Sequence, residues 1–228
     1  MSARWRNSAG EPTIPRVTTL IPREWLDRIE RLRARGGRRI LGVAGTPGAG
    51  KSSLAEALVE TLGQTAALVP MDGFHLAQGE LERLGRAERK GAPDTFDAAG
   101  YAALLLRLRE MGNETVYAPM FRREIEEPIA GAIAIGPDVD LVVTEGNYLL
   151  REGDAWARVR PLLDECWFVD IGRDDRVARL IDRHVRFGRP PEEAKAWVLR
   201  SDEANAELIE ACRERADFFV QWPPGTRQ

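Results

Sequence analysis

Residues 42–58 read GVAGTPGAGKSSLAEAL and join two patterns: the apolar run RILGVA at 39–44 stops at Gly45, and leucines at 54, 58 and 62 then recur at helical spacing. A short apolar run yielding to a 3.6-residue period predicts a buried strand, a tight loop and a helix. Gly45 and Gly50 enclose four residues, with Lys51 and Ser52 directly after them. Gly45, Gly48 and Gly50 let the backbone turn so that several N–H groups converge on phosphates, and the next helix points its positive end at the same place. Thr46, Pro47, Ala49 and Ser53 complete the loop. Lys51 is placed to bridge the terminal phosphates of a nucleoside triphosphate, and the Ser52 hydroxyl to ligate Mg2+. What the loop leaves open is the destination of the phosphoryl group, water or a second substrate.

The same alternation continues down the chain. ALVPM (67–71), LVVTE (141–145) and CWFVDI (166–171) read as strands, and DFFVQW (217–222) as a closing edge strand. Helices are expected from about Pro22 (Trp25, Ile29, Leu32), ended by Gly36 and Gly37, and around Tyr101, Leu104, Leu105 and Leu108. Two more are marked by Val177, Leu180, Ile181 and Val185, and by Ala194, Val198, Leu208 and Ile209. Strands separated by helices imply an α/β fold with a parallel sheet covered on both faces. Residues 76–96 and 117–138 carry Pro, Gly and many charges and read as irregular segments over the strand ends, where such sheets bind substrates.

The bounds are those of an ordinary globular chain. At 228 residues, 43% hydrophobic and 30% charged with a net charge of -3, it suits one domain and has no basic bias toward nucleic acid. Arginines crowd the first 39 residues (Arg4, Arg6, Arg16, Arg23, Arg28, Arg31, Arg33, Arg35, Arg38, Arg39); interspersed acids make a solvated helix face the simpler reading than a phosphate-binding arm. No apolar run approaches the roughly 18 residues of a membrane span, and no signal-peptide core follows Met1, so a cytoplasmic protein is expected. Cys166 and Cys212 suit neither a zinc site nor a disulfide framework and read as core.

Two acids follow predicted strands. Asp72 in VPMDGFHL would emerge beside the phosphates, where it could take the proton of an attacking hydroxyl. Asp-Gly is also a common turn pair. Glu145 in LVVTEGNYLL ends a neighbouring strand, the position of an acid that holds Mg2+ or its water.

With these residues a family resemblance is visible, carried by GTPGAGKSS, MDGFH, RKGAPDTFD (89–97), YAPMFRR (117–123), TEGNYLL (144–150) and RVARLIDRHVRFGRP (176–190). Over about residues 39–220 the chain resembles the P-loop kinases that include uridine kinase, phosphoribulokinase and the bacterial type I pantothenate kinases. The resemblance implies a P-loop NTPase three-layer sandwich: a five-stranded parallel sheet, helices on both faces and a mobile helical lid at about 174–200. It further implies ATP as donor, Mg2+, a small hydroxylated metabolite as acceptor and Asp72 as base. One kinase domain over 1–228 is expected, with a leader and helix at 1–36 and the core at 37–221. Departures exist too. The chain is more compact than type I pantothenate kinases, and EGNYLL differs from the forms linked to either substrate, so the acceptor stays open.

Arg179, Arg183 and Arg186 fall on one side of a helix, with Arg189 beyond it. In the resembling kinases such lid arginines neutralise the transferring phosphoryl group, a role that the resemblance implies for Arg183 and Arg189. His184 reads as a partly buried structural residue. His75, three residues after Asp72, is a candidate hydrogen bond to the acceptor. Arg89 and Lys90 could meet an anionic acceptor, and Asp97 or Thr95 would cap the helix holding Tyr101. Tyr117, Phe121, Arg122 and Asn147 are further substrate contacts, whereas Trp156, Trp167 and Trp197 read as packing. A homodimer is compatible with the sequence; nucleic acid and membrane are not expected partners.

A regulatory NTPase acting on a protein partner is the alternative. A GTPase switch needs N-K-x-D, which the chain lacks, and motor ATPases usually end the metal strand in an acid pair, where VVTEG has one acid. A catalytically silent scaffold is disfavoured by the presence of Lys51, Ser52, Asp72 and Glu145 together.

Overall fold

The computed structural model describes residues 20–110 and 112–222. Helix α1 (Arg23–Arg33) leads into β1 (Arg39–Ala44), the phosphate loop and α2 (Lys51–Leu62). Strand β2 (Ala66–Pro70), α3 (Gln78–Arg83) and α4 (Ala98–Arg109) follow, then β3 (Val116–Arg122), β4 (Glu127–Ile135) and β5 (Leu141–Gly146). The chain continues through β6 (Glu165–Val169), α5 (Arg173–Arg186), α6 (Pro191–Trp197) and α7 (Glu203–Glu210) to β7 (Phe218–Val220). A π-helical segment, Val198–Asp202, links α6 to α7.

Five strands form one parallel sheet in the order β2-β5-β1-β6-β7. Its central strands β1, β5 and β6 are buried almost end to end, which is why their sequences read as continuous apolar runs. Alternate residues feed opposite layers. Ile40, Val142 and Phe168 pack with Tyr101, Leu105 and Leu108 of α4 and with Trp156. Leu41, Val43, Val143 and Trp167 pack with α1 and α2 through Trp25, Ile29, Leu54 and Leu58. The five-stranded sheet between two helical layers is the expected α/β P-loop NTPase fold. Among the described residues no helix is long and apolar enough to cross a membrane.

Three expectations are corrected. The stretch 117–138 is not irregular: β3 and β4 pair as an antiparallel hairpin. Pro119 sits at its register shift between Ala118 and Met120, where a proline costs no ladder bond. The N-terminal arginines within the described residues are not simply a solvated face. Arg28 reaches Glu165 at 2.6 Å, Arg33 reaches Asp140 at 2.8 Å, and Arg39 reaches Asp164 at 2.9 Å. Arg38 is buried and donates to three backbone carbonyls. Arg4, Arg6 and Arg16 lie outside the described residues. Cys166 is core, but Cys212 is only half-buried, at the margin of that core.

Candidate active site

Strand register sets the site. Glu145 on β5 pairs with Val43 of β1 on one side and with Pro70 of β2 on the other. The phosphate loop after β1, the Asp72 turn after β2 and the Glu145 tip therefore emerge side by side. In the loop, Gly48 and Gly50 have φ of 80° and 96°, the left-handed region that glycine tolerates. A side chain at Gly48 would meet Leu180 and the Arg176 carbonyl at 2.8 and 3.0 Å, so α5 lies directly against the loop.

These elements enclose a cleft of about 540 Å3. Pro47, Gly48, Lys51 and Ser52 line it on the loop side. Thr46, Ala49 and Ser53 support the loop instead: the Thr46 carbonyl accepts from Lys51 Nζ at 3.0 Å, Ala49 is fully buried, and Ser53 Oγ accepts from Trp222 Nε1 at 2.7 Å. Ser52 Oγ donates to Glu145 Oε1 at 3.0 Å. Burial pushes the Lys51 ammonium down to about 8, against the raising pull of Glu145 and Asp72. Burial, and then the Asp72 charge, push the Glu145 carboxyl up. Loss of water drives both members of this pair toward their neutral forms, a cost that a bound polyanion and its cation relieve.

A hydroxyl and one carboxylate facing the phosphate-binding loop are hard oxygen donors, suited to Mg2+, which keeps most of its shell as water and phosphate oxygens. Among the described residues no group of three or more His, Cys, Asp or Glu forms a dedicated metal cage, so Ser52 and Glu145 fit a metal carried in on a nucleotide.

Opposite the loop, Asp72 lines the cleft and accepts from Arg123 Nη2 at 3.3 Å. Gly73 makes this approach available: a side chain there would come within 2.4 Å of the Pro119 carbonyl of β3. His75 also lines the cleft, with Nδ1 2.8 Å from the Asp72 carbonyl and its ring 4.0 Å from Phe96 and 4.7 Å from Phe121. Burial lowers its pKa below the ordinary value, which keeps the imidazole neutral near pH 7. Lys90 and Asn147 join the lining. Lys90 Nζ donates to the Glu126 carbonyl at 2.6 Å and lies 5.4 Å from the Phe121 ring centre. From the lid side come Arg183 on α5 and Arg189, whose guanidinium stacks 4.2 Å from the Trp197 ring. Trp197 is thus a wall of the cleft rather than packing alone. His184, read as structural, bonds Asp202 Oδ2 through Nε2 at 3.1 Å at the cleft edge. Asp97 is the residue that caps α4, accepting from the Gly100 amide.

Three expected substrate contacts lie outside the cleft lining. Arg89 is exposed on a short 3-10 turn, Ala87–Arg89. Tyr117 and Arg122 are exposed on β3. Val116 and Ala118 are buried and leave Tyr117 outside, whereas further along the hairpin Phe121 and Arg123 line the cleft and leave Arg122 outside. Arg123, Glu126, Gln78, Asp202 and Asn205 are lining residues that reading the sequence missed. A two-residue period counted from Phe121 finds Arg123.

The phosphoribulokinase / uridine kinase family model matches residues 40–227. A relative from Schizosaccharomyces pombe, provisionally named a uridine kinase, is 32% identical over 81% of this chain and 83% of its own. Pantothenate kinase from Clavibacter sepedonicus is 31% identical over 63% of this chain, which spans 47% of that protein. Among solved structures, one from Silicibacter sp. TM1040, provisionally named a fructose transport system kinase, is 39% identical. It covers 87% of this chain and 96% of its own, with a TM-score of 0.77.

Proposed function

This chain belongs to the phosphoribulokinase / uridine kinase family, and from that premise we propose an ATP- and Mg2+-dependent kinase that phosphorylates a hydroxyl of a small metabolite of nucleoside, sugar or pantothenate type. The single observation that carries the reading is that Asp72, the Lys51–Ser52 loop and Arg183 line one cleft. A water-using NTPase has no need of the additional chamber formed by His75, Lys90 and Phe121 beyond Asp72.

In the proposed reaction the acceptor hydroxyl oxygen forms a bond to the γ-phosphorus, the bond from that phosphorus to the β–γ bridging oxygen breaks, and the hydroxyl proton passes to Asp72. ADP leaves with the bridging oxygen. Bound Mg2+ would neutralise charge on the phosphates. Loop amides and Lys51 hold the β- and γ-phosphates, and Arg183 and Arg189 close over the transferring group. Closure of α5 excludes water, which would otherwise compete as acceptor. Among the named relatives, kinases of uridine, pantothenate and a fructose system bracket the acceptor chemistry. ADP release assayed with and without candidate alcohols tests the proposal: acceptor-dependent release supports it, and equal release without any acceptor indicates an NTPase.

A further inference from the structure

The cleft sorts its charges by element. Cations contributed by the acceptor side are each engaged with a carboxylate of that same side. Arg123 holds Asp72 at 3.3 Å, and Lys90 lies 3.6 Å from the Glu126 carboxylate while donating to the Glu126 carbonyl. The uncharged polar side chains of the lining include His75, Gln78, Asn147 and Asn205, and His75 is kept neutral by burial. Phe121 supplies an apolar wall backed by the His75 and Phe96 rings. On the nucleotide side the pattern is different: among the described residues Lys51, Arg183 and Arg189 have no carboxylate within ion-pair distance, and Glu145, Asp72 and Asp202 act on Lys51 or Arg183 only from farther off. Cations with no direct carboxylate partner are left available to a triphosphate. Asp202, the remaining carboxylate of the lining, is bonded by His184.

An anion arriving beside Asp72 would have to draw Arg123 or Lys90 away from its carboxylate. Each exchange leaves an acid without its cation, next to the anion that displaced it, and like charges so placed repel. A hydroxyl-rich neutral molecule meets no such cost. It can donate to Asp72, bond the neutral side chains and rest a C–H face on Phe121. We propose that the acceptor is uncharged, a neutral polyhydroxylated molecule of the nucleoside or free-sugar kind, rather than a carboxylate or a phosphate ester. Lys90, which the sequence suggested for an anionic acceptor, serves instead to fasten the hairpin tip at Glu126. This inference rests on the kinase reading above and narrows it.

The test uses the full chain with ATP and Mg2+ and acceptors matched except for charge: uridine and orotidine, pantothenol and pantothenate, D-fructose and D-fructose 6-phosphate. The neutral member of a pair is expected to drive ADP release with kcat/KM roughly tenfold or more above its anionic counterpart, a difference of about 1.4 kcal/mol. An anionic member turned over as well as or better than its neutral partner overturns the inference and leaves the kinase reading standing. If no compound accelerates ADP release although ATP binds, the kinase reading itself fails and takes the inference with it. Glu126→Gln supplies the second measurement; its side chain is 61% exposed, so the substitution leaves the fold intact. Unpairing Lys90 in this way should raise the anionic-to-neutral ratio of kcat/KM by roughly tenfold. An unchanged ratio shows that pairing does not select the acceptor and overturns the inference.

Discussion

Arg123 Nη2 and Asp72 Oδ2 lie 3.3 Å apart, so the end of the β3–β4 hairpin is tied to the carboxylate that faces the phosphate loop. The pair gives the two residues separable roles. Asp72→Asn keeps the shape and removes the proposed proton acceptor; kcat should fall by about 10²-fold or more while the Kd for ATP changes little. Arg123→Ala leaves Asp72, the proposed base, in place without its tether, and kcat/KM for the acceptor should fall by roughly tenfold with KM for ATP within about twofold. Arg123→Lys should recover part of that loss. Steady-state kinetics with both substrates varied separate these cases, and undiminished turnover in Asp72→Asn removes Asp72 as base.

Lys51 gives the pH dependence of nucleotide binding. Its folded-state value, about 8, lies below the ordinary value because burial disfavours the ammonium. The sign follows: as pH rises through about 8 in the free protein the side chain loses its charge, and a triphosphate that needs the charge must restore the proton. ATP affinity measured without Mg2+ should therefore weaken above about pH 8, approaching tenfold per pH unit while binding takes up one proton. Calorimetry in buffers of different ionisation enthalpy would count that proton. Lys51→Met should bind more weakly and lose the slope. A Kd for ATP independent of pH between about 7.5 and 9.5 contradicts the assignment.

Gly73 is where the hairpin packs closely on the Asp72 turn. A methyl group there would lie 2.4 Å from the backbone carbonyl of Pro119, and backbone cannot swing aside as a side chain can. Gly73→Ala should push β3 off the turn, costing on the order of 1–3 kcal/mol of stability and breaking the Arg123–Asp72 contact. The informative signature is a raised acceptor KM together with a lowered melting temperature. Gly79→Ala is the control, because nothing lies within 4 Å of a side chain added there.

The sheet was legible because buried parallel strands must be apolar along their whole length: β1, β5 and β6 announce themselves, and the phosphate loop fixes which end of the sheet matters. Helices α1, α2 and α4 followed from leucine and tryptophan spacing, with Asp97 among the expected caps of α4. The hairpin was not legible. Strand β4 is mostly exposed, so no core periodicity marks it, and Pro119, Pro128 and Gly131 resemble loop punctuation. Within the hairpin Tyr117 and Arg122 are exposed while Phe121 and Arg123 line the cleft, a placement that residue types do not record. The arginine-rich start misled for a related reason. A guanidinium that binds carbonyls far along the chain has the same local sequence context as one in water.

Arg38 is the clearest instance and carries the last prediction. It is 5% exposed, with Nε 2.8 Å from the Val139 carbonyl, Nη2 2.6 Å from that of Gly136 and Nη1 3.4 Å from that of Leu108. One side chain thereby satisfies the carbonyls that end α4 and β4 just before β5 begins. Burial lowers its pKa from the ordinary value, yet a guanidinium stays charged, so the carbonyls must supply the solvation that water no longer does. Arg38→Met preserves the length and apolar stem while leaving those acceptors unpaired, and should cost roughly 2–4 kcal/mol, a fall in Tm on the order of 5–15 °C for a chain of this size. Arg38→Lys keeps the charge but cannot reach three acceptors in one plane and should recover less than half. Arg31→Met, on the exposed face of α1, should change Tm by no more than about 2 °C. If Arg31→Met and Arg38→Met melt alike, the buried network does not hold this corner of the fold.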